Sequence, residues 1–116
     1  MTAYGYVQTV FSGRLSRMGD YNTVSGDGRR TCHLQPLPSI RIVAKPAHGE
    51  LSLTTGERLF QAGPSTPLGY CNGRRFAAKI VQYRSAPHYV GPDQLSYQVI
   101  FADGTAETYE KILTVR

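Results

Sequence analysis

The sequence has no tryptophan, only two cysteines and two methionines, and charged residues make up 18% of its 116 positions. Long leucine-rich runs with helical spacing are also missing, whereas 12 glycines and seven prolines are present. This composition is typical of short strands joined by tight turns, so we expect an all-β chain with no helix of consequence. One domain over residues 1–116 is the default at this length, which suffices to bury most of the surface of the unfolded chain.

No stretch approaches the ~20 consecutive apolar residues that cross a bilayer, so we predict no membrane span. The first residues, MTAYGY, lack both the basic and the apolar region of a signal peptide. The protein is therefore either cytosolic or exported with its leader removed, and we favour export to the periplasm or the extracellular space. The cysteine count does not decide, because one disulfide in an oxidising compartment and two cytosolic thiols fit it equally well.

Motifs for catalysis or metal binding are also missing. The chain has no Gly-x-Ser-x-Gly elbow and no Ser-x-x-Lys, and its three histidines, His33, His48 and His88, lack the spacing of a metal site. The aspartates are isolated in sequence, which argues against calcium, and we interpret Asp93 as a turn former. We therefore expect no enzymatic activity, no cofactor and no metal.

Alternating apolar residues predict about seven short strands in an antiparallel sandwich, with the pairing of residues 1–35 left open. The predicted strands are Tyr4 to Phe11, Ile40 to Lys45, Glu50 to Thr54, Arg58 to Ala62, Phe76 to Arg84, Leu95 to Phe101 and Glu107 to Val115, with Leu15 to Met18 as a brief strand or a bend. The predicted irregular segments are Gly19 to Gly28, Thr55 to Glu57, Gly63 to Gly69 and Ala86 to Pro92. The predicted main core contains Tyr83, Leu95, Tyr97 and Val99.

Two stretches carry a resemblance to a known family. The first is Lys45-Pro-Ala-His-Gly-Glu-Leu51, and the second is a pattern of tyrosine, proline, aromatic residue, glycine and aspartate that leads into an aromatic strand and a turn. Its residues are Tyr83, Pro87, Tyr89, Gly91, Asp93, Leu95, Tyr97, Val99, Asp103 and Gly104. Residues 40 to 116 thereby resemble the bacterial Ig-like and cadherin-like β-sandwich repeats, while residues 1–35 show no such pattern.

The resemblance implies an Ig-like sandwich. It also implies export, because such modules are mostly carried by exported bacterial proteins, and on that ground we predict a disulfide between Cys32 and Cys71. The commonest repeats of this kind lack cysteines, so the bond would be a departure from their pattern. The resemblance concerns the fold and names no ligand.

Two arginine pairs flank the cysteines in mirrored order. Arg29 and Arg30 precede Cys32, and Arg74 and Arg75 follow Cys71. A disulfide would bring the two Cα atoms within ~7 Å, so the four guanidinium groups would form one anion-binding patch. Alternatively, the arginines point into water and balance nearby Asp and Glu. A formal net charge of +5 attracts anions in general and does not indicate a specific nucleic-acid partner.

The leading functional interpretation is a non-enzymatic, exported, cell-surface module for adhesion, surface structure or binding of an anionic polysaccharide, a lipid headgroup or an acidic protein. A second interpretation is self-association as a subunit of a surface filament, in which the aromatic strand from Tyr4 to Phe11 pairs with an edge strand of a neighbour. A small periplasmic enzyme or metal carrier is the alternative from a different class.

Overall fold

The structure, a computed structural model, describes residues 2–26, 31–63 and 65–116. Within these residues the chain forms nine β-strands and one short 3-10 turn, Gly69–Cys71. The strands are β1 (Thr2–Val10), β2 (Leu15–Tyr21), β3 (Val24–Gly26), β4 (Cys32–Leu34), β5 (Ser39–Ala44), β6 (Gly49–Leu59), β7 (Arg75–Ser85), β8 (Gly91–Ile100) and β9 (Ala106–Val115). The predicted all-β class is confirmed. In the described part of the chain, no helix is long and apolar enough to cross a membrane.

The strands form two main sheets and one small hairpin. The first sheet has the order β1-β9-β8-β5, the second has the order β2-β7-β6, and β3 pairs with β4. If the seven longer strands are lettered A to G along the chain, the neighbours B-E-D and C-F-G are those of an immunoglobulin sandwich. Strand A, which is β1, runs parallel to the last strand, β9, whereas every other pairing is antiparallel.

The core lies between the two main sheets and follows the predicted alternation. Tyr83, Leu95, Tyr97 and Val99 are all at most 1% exposed, so the predicted phase of β7 and β8 is confirmed. The remaining buried members of this cluster come from β1, β2, β7 and β9 and are Val10, Met18, Tyr21, Val81, Leu113 and Val115. Strand β7 is apolar on both faces because it is the central strand of its sheet, between β2 and β6.

The structure has nine strands and not the predicted seven, partly because the predicted loop from Gly19 to Gly28 contains the end of β2 and all of β3, and partly because β4 has no counterpart in the prediction. Strand β2 continues through Gly19 to Tyr21, where the register shifts at a bulge between Arg17 and Gly19. The ring of Tyr21 lies over Gly19, so closely that a Cβ at Gly19 would be 2.2 Å from the tyrosine oxygen. Glycine is thus required there by packing and not by a turn. The last residues of the predicted loop, 27 and 28, lie outside the described part of the chain.

The predicted turn from Thr55 to Glu57 is also wrong, since β6 runs unbroken from Gly49 to Leu59 beside β7. Gly56 is opposite Ala78 in this ladder, and a Cβ at Gly56 would lie 2.4 Å from Cδ1 of Ile80. The glycine that suggested a turn therefore makes room for a buried isoleucine. Strand β6 joins the predicted strand from Glu50 to Thr54 to the first two residues of the one predicted from Arg58 to Ala62, whose other residues lie outside any strand.

The Asp93 carboxylate connects three parts of the sandwich. Asp93 is 6% exposed, and it accepts hydrogen bonds from the backbone N–H groups of Ala47, His48 and Gln94 at 3.0, 3.2 and 2.9 Å. The Tyr83 hydroxyl donates a fourth bond, at 2.6 Å. Burial, followed by this contact with Asp93, raises the pKa of Tyr83. Asp93 therefore joins the turn before β6 to β7 and β8, rather than forming only a local turn.

We predict that Leu95→Ala lowers the free energy of unfolding by ~2 to 5 kcal/mol, because the side chain is 1% exposed and its removal leaves a cavity. Denaturant unfolding followed by circular dichroism measures the change. Val90→Ala is the matched control, since Val90 is 67% exposed in the loop before β8. Equal effects of the two substitutions would show that the assigned phase of β8 is wrong.

We predict that Asp93→Ala lowers the free energy of unfolding by about 3 kcal/mol or more, because it leaves three backbone donors and one buried hydroxyl without their acceptor. Asp103→Ala is the control, as Asp103 is exposed and its carboxylate accepts from the backbone N–H and the hydroxyl of Thr105 within one turn. A loss at Asp93 no greater than at Asp103 contradicts the role given to this carboxylate.

Candidate functional site

The predicted disulfide between Cys32 and Cys71 is confirmed, with a Cα–Cα distance of 6.0 Å. Cys32 begins β4 and Cys71 is the fully buried last residue of the 3-10 turn. The bond therefore ties the β3–β4 hairpin to the segment that connects β6 to β7. We call the hairpin together with residues 60–74 the disulfide end.

Hydrogen bonds support the disulfide bond at this end. The Tyr70 hydroxyl donates to the carbonyl oxygen of Thr31 at 2.9 Å, which links the same two segments a second time. The side chain of Asn72 accepts from the backbone N–H of Ala62 at 2.5 Å and donates to its carbonyl oxygen at 2.7 Å. The connection between β6 and β7 is consequently held in place although it contains little regular structure.

The structure describes half of the predicted arginine patch. Arg74 precedes β7 and Arg75 begins it; both are exposed, and neither forms an ion pair with a residue in the described ranges. Arg29 and Arg30 lie outside the described residues, so their part of the patch stays a prediction. Arg74 and Arg75 follow Cys71 closely in sequence, and the disulfide ties Cys71 to the strand that begins at Cys32.

Arg75 lines a groove that the sequence did not reveal. This basic groove has a volume of about 490 Å³ and runs over the end of the β2-β7-β6 sheet. Its lining residues are Arg17, Asp20, Glu57, Arg58, Leu59, Gln61 and Arg75. No local motif in the sequence indicates this groove. Arg17 belongs to β2 and Arg58 to β6, and the two residues come together because both strands pair with β7.

Charges in the basic groove are partly neutralised. Asp20 accepts from Arg17 at 3.0 Å and from Arg58 at 3.1 Å, so one carboxylate holds two guanidinium groups. Three arginines against Asp20 and Glu57 leave one net positive charge. Ion pairs of such exposed side chains contribute little to stability, so both arginines stay available to a stronger anion. The groove suits a ligand that carries several carboxylate, sulfate or phosphate groups.

A second groove, of about 510 Å³, lies at the turn before β6 and is lined by residues 47–50 and 84–87. It contains His48 and Ser85, a pair that a nucleophilic mechanism requires in contact. The Ser85 hydroxyl instead donates to the carbonyl oxygen of Ala86 at 3.1 Å and accepts from the N–H of Gly13 at 2.9 Å. The His48 ring stacks on Tyr89 with centroids 4.0 Å apart. The two side chains are therefore occupied in structural contacts.

His33 lies in β4, His48 in the turn before β6 and His88 in the loop before β8. Among the residues that the structure describes, no group of three or more His, Cys, Asp or Glu side chains is arranged to hold a metal ion.

Five tyrosines form a connected cluster at the side of the sandwich where β1 lies. The rings of Tyr97 and Tyr109 are 5.5 Å apart, those of Tyr109 and Tyr4 are 5.2 Å apart, and those of Tyr4 and Tyr6 are 6.4 Å apart. Tyr21 reaches across from the other sheet, and its hydroxyl is 2.6 Å from that of Tyr97. Burial raises the pKa of Tyr97 to about 12.

Lys111 lies in the same cluster and interrupts the otherwise apolar inward stripe of β9. It is 7% exposed, and its Nζ is 4.3 Å from the centroid of the Tyr6 ring. Within the described residues the ammonium group forms no ion pair. Burial lowers the pKa of Lys111, because desolvation disfavours the charged ammonium group.

Comparison with known proteins adds no further assignment: the chain matches no protein-family model, no curated protein and no solved structure. The class of the protein therefore rests on its fold and its candidate site. It is an all-β sandwich with one disulfide bond and a basic groove on the β2-β7-β6 sheet.

We predict that Lys111→Met raises the melting temperature at pH 7, because it removes a charge that burial disfavours. The pKa of Lys111 is lower in the folded state, so the unfolded chain binds the proton more tightly between that pKa and 10.5. The stability of the wild type therefore rises with pH through this interval, and the advantage of Lys111→Met shrinks towards pH 10.5.

Scanning calorimetry at pH 7 and at pH 10 measures both effects. Lys45→Met is the control, since Lys45 is exposed at the end of β5 and its removal changes the net charge equally. A lower melting temperature for Lys111→Met at pH 7 contradicts the prediction, because it would mean that the contact with Tyr6 stabilises more than burial costs.

Proposed function

We propose that the protein is a non-enzymatic, exported module of the bacterial Ig-like type that binds an anionic partner in adhesion or surface structure. The observation that carries the proposal is the basic groove, where Arg75 stands without an acidic partner among the described residues, next to a segment tied down by the disulfide. The disulfide supports export, because such bonds persist in oxidising compartments.

The arrangement of the arginines favours a polyanion over a single small ion. Arg75 lines the groove with Arg17 and Arg58, and Arg74 adds a fourth exposed guanidinium group just before β7. Planar guanidinium groups bind carboxylate and sulfate through two parallel hydrogen bonds, and a polymer presents such groups repeatedly. An acidic polysaccharide is therefore the partner that we propose, with a lipid headgroup or an acidic protein as outcomes of the test.

The backbone of the disulfide end is held by covalent and hydrogen bonds, which lowers the entropic cost of binding a partner there. The disulfide and the double hydrogen bond of Asn72 with Ala62 order the segment that leads into Arg74 and Arg75. Ordering a loop on binding lowers affinity, and a site that is already ordered avoids this loss.

We predict that replacing Arg74 and Arg75 by alanine together weakens binding to heparin by about tenfold or more, since hydrogen bonds to charged groups contribute ~1.5 to 3 kcal/mol each. Binding of the wild type should also weaken as salt is raised, because exposed charges are screened over ~8 Å at physiological ionic strength. Isothermal titration calorimetry at two salt concentrations measures both effects. Vesicles with anionic headgroups and an acidic protein replace heparin in parallel titrations.

The control must remove two positive charges elsewhere, because a basic protein binds many anions through its net charge. Arg41→Ala with Lys45→Ala serves, since both residues are exposed at β5 in the other sheet. Arg17 is unsuitable because it lines the basic groove itself. Equal losses for the two double variants would show that binding is diffuse and that the assigned site is wrong.

A further inference from the structure

Strand β1 differs from the other edge strands of the two main sheets in having no charge. Edge strands expose unpaired backbone groups, and proteins commonly protect them with charged residues or proline. Strand β5 carries Arg41, and β2 carries Arg17 and Asp20. Strand β6 carries Glu50, Glu57 and Arg58. Strand β1, with the sequence TAYGYVQTV, has neither a charged residue nor a proline in nine positions.

The side chains of β1 also expose much apolar surface. Val7 is 79% exposed on the outer face of the sheet, and Phe11, just after the strand, is 54% exposed. On the inner face, Tyr4 and Tyr6 are 38% and 44% exposed. Among the described strands, β1 is hydrogen-bonded only to β9, and no other described strand pairs with its second edge. An open, long and apolar edge is a surface for strand pairing.

The lack of charge points to a second copy of the same chain as the partner. In a two-fold antiparallel pair, each residue close to the axis faces itself or a near neighbour in the other copy. A charged residue there would face a like charge, which destabilises the pair. Each of the other three edges contains such a residue, whereas β1 does not.

We propose that β1 pairs antiparallel with β1 of a second copy, so that two four-stranded sheets join into one continuous sheet of eight strands. With Val7 at the two-fold axis, the two most exposed valines of the dimer meet on the outer face. Tyr6 of each chain then faces Gln8 of the other on the inner face, and the row of stacked tyrosines is covered at its open end.

The proposed two-fold pairing of β1 strands produces a closed dimer and not a filament. Both copies use the same strand, so no second β1 edge is left to continue the assembly. A filament would require β1 to pair with β2, β5 or β6, which are the charged edges. This inference goes beyond the proposed function, because β1 belongs to the other sheet from the basic groove and neither surface needs the other.

Sedimentation equilibrium over a range of concentrations tests the dimer. The wild type is expected to show a monomer–dimer equilibrium without larger species. Val7→Lys is expected to raise the dimer dissociation constant by about tenfold or more, because two ammonium groups then meet at the axis. The matched control is Val43→Lys, since Val43 is 54% exposed on β5 at the opposite edge of the same sheet, and this variant is expected to dimerise like the wild type.

Mixing variants tests the two-fold arrangement itself. Val7→Glu alone is expected to be monomeric, whereas an equimolar mixture of Val7→Lys and Val7→Glu is expected to recover the dimer. Circular dichroism and melting temperatures confirm that each variant is folded. A wild type that stays monomeric at all concentrations, an equal loss with Val43→Lys, a mixture that stays monomeric, or open-ended polymers would each overturn the proposal.

Discussion

The carboxylate of Asp93 is the interaction on which the arrangement of the sandwich depends. It is buried and accepts from three backbone N–H groups and from Tyr83, so it fixes the turn before β6 against β7 and β8, which belong to different sheets. Charged acceptors form stronger hydrogen bonds than neutral ones, especially away from water. This network joins two stretches that are far apart in sequence, because the backbone of His48 and the hydroxyl of Tyr83 both bond to Asp93.

Much of the second half of the fold could be predicted from local pattern. The strict alternation from Leu95 to Val99 puts one face of β8 in the core. The stretch from Phe76 to Arg84 has apolar residues on both faces, which indicates a central strand or a bulge, and the structure shows the central strand. The first half could not be predicted in this way. Strand β2 contains Gly19 under a distant tyrosine ring, and Gly56 of β6 lies against Ile80 of β7. In both places a residue that normally indicates a turn satisfies a long-range packing requirement.

The candidate site was predictable only where its residues are neighbours in sequence. The pair Arg74 and Arg75 stands out beside Cys71, and the disulfide was anticipated through the resemblance. The other arginines of the basic groove come from β2 and β6, and nothing in their local sequence relates them. The same holds for the tyrosine cluster, whose members come from β1, β2, β8 and β9. Such sites are created by strand order, which a single sequence does not specify.

The two proposed surfaces would reinforce each other if both are used. The basic groove is lined by residues of the β2-β7-β6 sheet, whereas the proposed dimer pairs the β1 edges of the other sheet, so none of the groove residues belongs to the pairing strand. A two-fold dimer then presents two grooves to one partner. A polymer with repeated acidic groups can engage both at once, and the second contact forms at the effective concentration set by the first. A module with one weakly charged groove would thereby hold a polyanion far more firmly as a dimer than as a monomer, whereas a small anion would gain nothing.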